Sequence, residues 1–331
     1  MTSIKGWLIS FVKLSIRRPL LLSSALLVLG NSTCAQQTEH YTQYQFNQFA
    51  FNPAVAGTKS CIDIRTGYRF QWVGIEGAPQ VGFANVHAPI RFSKKKRKVI
   101  GPKHGIGLQI KRDAFGPYSM LQAELAYALH LPVSRYWTFS MGFGFGMKQT
   151  VFNAAKLTTE LSDPALLAGN QSFVMFPDGQ LGIWVNDKRT YFGLSVHNLF
   201  GNQFKNIGTS ASHLQRHYYF TAGRSFNLER KWSFIPSVFM LYTAKTPIDF
   251  HLSALFDLDN KFAFGIGLRR TDAITAQVRV KLFNLISVGY SFDFVLSKLR
   301  GNMYYTHEMT AGFNSCSNYG TSSTTNCPVF E

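Results

Sequence analysis

WTFSMGFGFGM, Trp137–Met147, alternates large and small side chains at every step. Trp137, Phe139, Met141, Phe143, Phe145 and Met147 share one face, and Thr138, Ser140, Gly142, Gly144 and Gly146 share the other. A period of two belongs to a β-strand, whose successive side chains point to opposite sides. The same pattern returns in Ile274–Leu282, where Thr275, Gln277, Arg279 and Lys281 form the polar face, in Ile286–Phe294 with Ser287, Gly289, Ser291 and Asp293, and in Ile248–Phe256 with Asp249, His251 and Ser253. Strands of this length, apolar on one side and polar on the other, suit a barrel in an outer membrane, with lipid outside and a polar lumen inside. A soluble β-sandwich also alternates. Three features favour the barrel: apolar faces crowded with Phe and Trp, long strands, and aromatics near strand ends (Tyr136, Trp137, Trp184, Trp232, Tyr304, Tyr305), where interfacial girdles sit.

Composition agrees. The chain has 331 residues, 34 Lys plus Arg, 17 Asp plus Glu and a net charge of +17, with 15% charged residues, 15% aromatics and 30 Phe. That is too apolar and too sparsely charged for disorder. Residues 1–35 read as a signal peptide: Lys13, Arg17 and Arg18 are basic, Pro19–Gly30 is apolar, and Thr33-Cys34-Ala35 places small residues before Gln36. Its removal leaves 296 residues at +13. After this leader no apolar run approaches the ~20 residues of a membrane-spanning helix. The leader also argues against a cytosolic enzyme. Cys34 fits a lipidation signal poorly, because Asn31 and Thr33 occupy the places of an apolar and a small residue. Of the remaining cysteines, Cys316 and Cys327 are close enough in sequence to bridge in an oxidising compartment, which would leave Cys61 over.

The expected organisation is a signal peptide at 1–35, a polar, aromatic N-terminal periplasmic or plug-like segment at 36–60, an all-β transmembrane antiparallel barrel at 61–315 and a polar tail at 316–331. Fourteen strands are expected, at 61–72, 79–90, 104–113, 117–131, 135–149, 177–186, 189–199, 214–226, 230–243, 247–257, 260–271, 273–282, 284–296 and 304–315. An even number suits a single-chain bacterial barrel. With the N-terminus in the periplasm, the long connections 150–176 and 200–213 face outward and most inner turns are tight. One inner turn, RFSKKKRKVIGPK at 91–103, is long and basic. Ile235-Pro236 inside the ninth strand calls for a bulge or an edge-like break.

Motifs for chemistry are scarce. His307-Glu308 opens HEMTA, not the HExxH of a zinc site. GFGFG at 142–146 and GIGL at 105–108 and 265–268 lack the GK[ST] and following helix of a phosphate cradle, and read as lumen glycines in crowded places. No GxSxG occurs, and Asp249 with His251 reads as a lumen hydrogen-bond pair. No enzyme, metal or cofactor is expected. Lys94, Lys95, Lys96, Arg97 and Lys98 would suggest nucleic acid in a cytosolic protein, but the leader removes that reading and leaves lipid headgroups, a periplasmic partner or a solvated loop. Arg279 and Lys281, with Arg269 and Arg270, suggest a basic lumen.

Phe46–Gly57, FNQFAFNPAVAG, resembles the NPAxAG signature of the PorP/SprF family, and Tyr68–Pro79, YRFQWVGIEGAP, resembles its YRxQWxGxxGAP box. Leu161–Leu166, Tyr191–Leu199 and Thr306–Met309 are similar to later family boxes and follow in family order. The resemblance implies a FadL-like outer-membrane barrel of type IX secretion and gliding motility in Bacteroidota, which exports or retains surface proteins bearing C-terminal sorting domains. It places family-motif residues at Asn52, Pro53, Ala54, Ala56 and Gly57, and at Gln71, Trp72 and Gly74, as candidates for plugging the lumen or meeting a partner. No catalytic residue is assigned to that family. Expected partners are outer-membrane lipid, the secreted surface protein and trans-envelope type IX components, with no nucleic acid. A channel for small or hydrophobic solutes is the alternative function.

Overall fold

A computed structural model describes residues 41–90, 101–153, 156, 171–202, 214–228, 231–244, 246–270, 272–283, 285–296 and 305–315. Fourteen antiparallel strands close into a barrel. They are β1 Asp63–Val73, β2 Gln80–Ile90, β3 Lys103–Phe115, β4 Tyr118–Pro132, β5 Thr138–Asn153, β6 Gln171–Asn186, β7 Thr190–His197, β8 His217–Arg224, β9 Trp232–Thr243, β10 Asp249–Leu258, β11 Phe262–Arg269, β12 Ala273–Leu282, β13 Ile286–Val295 and β14 Tyr305–Asn314. Phe226–Asn227 continues β8 past Ser225. Each strand pairs with the next, and β14 returns to β1, Asp63 opposite Asn314 through Phe70 opposite His307. Closure leaves no sheet edge to satisfy within lipid. Among the described residues no helix is long and apolar enough to cross a membrane.

The alternation sorts the side chains. On β5, Met141, Phe143, Phe145 and Met147 are 41–47% exposed on the outside, while Ser140, Gly142, Gly144 and Gly146 are buried within. One barrel end carries the tight turns after β4, β6, β8, β10 and β12; Asp259 and Asn260 (φ 54° and 55°) give the β10–β11 hairpin two left-handed residues, as a type I′ turn requires. The other end carries the connections 154–170 and 198–216, and the length asymmetry assigns it to the cell exterior.

Several expectations need correction. β5 and β6 run on to Asn153 and back to Gln171. Pro177 hides this in the sequence; β7 pairs with β6 only from Leu181 onward, so the missing proline N–H costs no ladder bond. Trp184 is not a girdle residue: it points inward, fully buried, and stacks on Tyr191 at 4.9 Å. At Ile235-Pro236 the β8–β9 ladder is interrupted without a register change, an edge-like break and not a bulge. Cys61 is disulfide-bonded and not left over; the other three cysteines, Cys34, Cys316 and Cys327, lie outside the described residues. The signal peptide, the 161–166 box and Tyr304 also lie outside them.

Candidate functional site: the lumen and its N-terminal segment

Residues 41–59 run inside the barrel, and every one of Tyr41–Ala56 is buried. Short 3-10 turns at Gln48–Ala50 and Pro53–Val55 fold the segment into a compact plug. Tyr41, Phe51, Phe83, Tyr219 and Phe239 meet edge-on or tilted with ring centroids 4.8–5.8 Å apart, so part of the lumen is a packed aromatic core. Beside the plug, a cavity of about 20 Å³ lined by Phe46, Asn47 and His87, and another of about 10 Å³ lined by Gln43, Gln277 and Arg279, leave room for a water molecule at most.

The plug enters the wall where glycines make space. Asn52 caps the second turn: its Oδ1 accepts from Ala54 N–H at 2.9 Å, and its Nδ2 donates to the carbonyls of Ile183 at 2.9 Å and Leu194 at 3.2 Å. Pro53 and Ala54 lie against Gly142, where an added Cβ would fall 2.2 Å from Ala54 N. Ala56 and Gly57 lie against Gly105, where a Cβ would fall 1.9 Å from Ala56 O. Gly57 has φ +72°, which turns the chain toward the wall. Gly142 of GFGFG and Gly105 of the first GIGL therefore admit another backbone, whereas Gly144, Gly146, Gly265 and Gly267 make room for neighbouring residues of the wall.

Three wall histidines grip the plug backbone. His130 Nε2 donates to Ala56 O at 2.8 Å, which leaves its Nδ1 to accept from Ser140 Oγ at 2.7 Å. His197 Nε2 donates to Phe51 O at 2.8 Å, and Ser195 donates to the same carbonyl. His87 Nδ1 accepts from Gly57 N–H at 3.3 Å while its Nε2 faces Asp63 at 3.3 Å. Of these, only His197 lies within a stretch that carries the family resemblance, Tyr191–Leu199. The inward phase of β2 and β4 was the available signal for His87 and His130.

Toward the exterior end the plug meets a charge knot. Arg69 reaches Asp293 at 2.7 Å and Glu308 at 3.1 Å; Arg269 reaches Asp293 and Asp272, each at 3.1 Å. Thr42 ties the plug in: its N–H donates to Glu308 at 2.8 Å, its hydroxyl donates to Asp293 at 2.7 Å, and the same oxygen accepts from Arg69 and Arg269. Elsewhere Lys148 pairs with Asp178 at 2.6 Å and Arg279 with Asp257 at 3.3 Å. Among the described residues, the buried ionisable groups, histidines and tyrosines aside, number six cations and six carboxylates. The expectation of a basic lumen is thus overturned: the cations that alternation places inside meet carboxylates from neighbouring strands, and Arg270 lies exposed at the end of β11.

The second motif lies away from the plug. Gln71 and Trp72 form a one-residue bulge at the exterior end of β1, between Phe70 opposite His307 and Val73 opposite Tyr305. Trp72 has φ 49° and takes a bond from its N–H to Thr306 Oγ1 at 3.2 Å; Gly74 has φ 111° in the following turn. The structure therefore separates the candidates into a lumen group, Asn52–Gly57, and a rim group, Gln71, Trp72 and Gly74. Lys94, Lys95, Lys96, Arg97 and Lys98 lie outside the described residues.

The sequence model of the type IX secretion system membrane protein PorP/SprF matches residues 33–313. The chain belongs to the PorP/SprF family. It is therefore a type IX secretion membrane component, built as an integral outer-membrane β-barrel. A comparison with curated proteins finds no match. Among solved structures, this PorP/SprF barrel is similar to the Ralstonia pickettii toluene transporter TbuX, with 10% identity, TM-score 0.47 and coverage of 80% of this chain and 92% of that one. A Pseudomonas aeruginosa FadL homologue gives 10%, 0.45, 80% and 93%, and Acinetobacter baumannii Omp33 gives 8%, 0.45, 78% and 99%. These likenesses concern the barrel fold alone.

Proposed function

We propose that this PorP/SprF protein is a non-enzymatic part of the type IX machinery that helps export a partner protein bearing a C-terminal sorting domain, or anchors it at the surface, in a Bacteroidota-like outer membrane. The observation that carries the reading is the filled lumen. A solute channel needs a continuous path, whereas here residues 41–59 occupy the barrel from the knot near Thr42 to the tight-turn end, where Lys59 meets Asp63 at 3.1 Å. A barrel closed in this way is suited to present its rim to another protein. The two motif groups then divide the work: Asn52–Gly57 seal the barrel, and the Gln71–Gly74 bulge shapes the outer rim.

The test is purification of the protein from native outer membrane in mild detergent, followed by mass spectrometry of what accompanies it. Stoichiometric recovery of a large surface protein or of type IX components is the expected result. Recovery of the bare barrel, with no such protein enriched over a control membrane, would overturn the proposal in favour of a channel.

A further inference from the structure

The charge that the lumen lacks resides on one end of the barrel. Among described residues that are not buried, the tight-turn end carries eight Lys or Arg and two carboxylates, whereas the exterior end carries five and four. Every described tight turn contributes. The β4–β5 turn presents Arg135 beside Tyr136, and the β6–β7 turn presents Lys188 and Arg189. Lys231 precedes Trp232, and Lys261 precedes Phe262. The β12–β13 turn holds Lys281 and Phe283, whose ring is 87% exposed. The two carboxylates do not offset this. Asp187 is occupied with the backbone N–H groups of its own turn, and Asp259 is shared by Lys231 at 3.4 Å and Lys261 at 3.6 Å. Arg135 and Lys188 carry no ion pair among the described residues.

We propose that this end is a collar for anionic glycerophospholipid of the inner leaflet, its cations meeting lipid phosphates while the neighbouring aromatic and apolar side chains seat among glycerol and upper acyl groups. The distribution selects the ligand. A docked protein would call for charge on one arc of the rim. Here all five described tight turns bear cations, and in four of them, all but β6–β7, an exposed aromatic residue lies beside the cation. A leaflet is the partner that surrounds a barrel on all sides. Clustered Lys and Arg at a membrane surface attract anionic headgroups, and the attraction is screened by salt. The inference is independent of any secretion partner.

The test reconstitutes the full chain into nanodiscs of phosphatidylethanolamine with a minority of phosphatidylglycerol and measures by mass spectrometry which lipids stay bound as the disc is stripped with detergent. Phosphatidylglycerol should be enriched about fivefold over its bulk fraction. The enrichment should vanish at high salt and in the combined variant Arg135→Gln, Lys188→Gln, Arg189→Gln, Lys231→Gln, Lys261→Gln. Should that variant fail to insert, the salt titration of the unaltered protein carries the decision. Absence of enrichment, or enrichment indifferent to both salt and the variant, overturns the proposal. So does labelling of Lys188→Cys by a membrane-impermeant thiol reagent in intact cells, which would turn the collar toward the outer leaflet and its lipopolysaccharide.

Discussion

Deleting residues 36–57 converts a closed barrel into a conducting one. The strand ladder runs unbroken through β14 and β1 without help from the plug, so the barrel itself persists. What the deletion removes is the body of Tyr41–Gly57 together with its hold on His87, His130, His197 and the Arg69 knot. The vacated wall offers paired charges, Gln109, Gln122, Gln180 and Ser291, which water solvates readily, so the space fills with electrolyte. Single-channel conductance should rise at least about tenfold over the unaltered protein, since a barrel of this strand number encloses a lumen far wider than an ion. Gly142→Val tests the same point without shortening the chain. Its Cβ would fall 2.2 Å from Ala54 N, a backbone atom that cannot swing away, so the Asn52–Gly57 turn must leave the wall. Intermittent openings are expected from this variant. A deletion protein that inserts and remains as silent as the parent would contradict the account of the plug.

Arg69→Met should be the most damaging single change in the barrel wall. Arg69 is almost fully buried, and it touches Asp293, Glu308 and the Thr42 hydroxyl. Methionine fills part of the space, but among the described residues it leaves Glu308 without a paired cation and Asp293 with Arg269 alone. Removing one partner of a buried ion pair costs about 3–5 kcal/mol, because the remaining charge stays desolvated. Lys231→Met is the control. Its ammonium pairs with Asp259 at 3.4 Å but is 68% exposed, and loss of a surface pair costs at most about 0.5 kcal/mol. Urea unfolding in vesicles of phosphatidylcholine, which carries no net charge for the collar to bind, compares the two by tryptophan fluorescence. Equal midpoints would contradict a stabilising role for the knot.

The sequence disclosed the barrel because lipid and lumen impose opposite polarity on alternate residues, and fourteen segments such as Trp137–Met147 carry that imprint. It disclosed strand ends less well where a breaker intervened: Pro177 masks the first residues of β6, and only the short reach of β7 explains why proline is tolerated there. Inward and outward faces were legible by phase, but what an inward side chain meets was not. Trp184 looked like a girdle residue until its phase placed it on Tyr191. Arg269 and Arg279 looked like a basic lining because their partners, Asp293 and Asp257, come from other strands whose register no local pattern fixes. The knot joins Arg69 to Glu308 across 239 positions of sequence, a contact that exists only because the first and last strands pair. The Asn52–Gly57 motif was visible through family resemblance, yet its fit to Gly105 and Gly142 depends on which wall glycines face the plug.

Solute entry through the intact protein is the most direct test of a sealed barrel that works by binding. Proteoliposomes carrying the full chain are mixed with a small sugar and, separately, with a monoaromatic hydrocarbon, and entry is compared with that into protein-free vesicles. The plugged lumen predicts no entry above the protein-free rate for the sugar and no saturable entry for the hydrocarbon. Rapid sugar uptake, or saturable hydrocarbon uptake abolished by a lumen substitution such as Phe239→Arg, would contradict it and make the protein a channel.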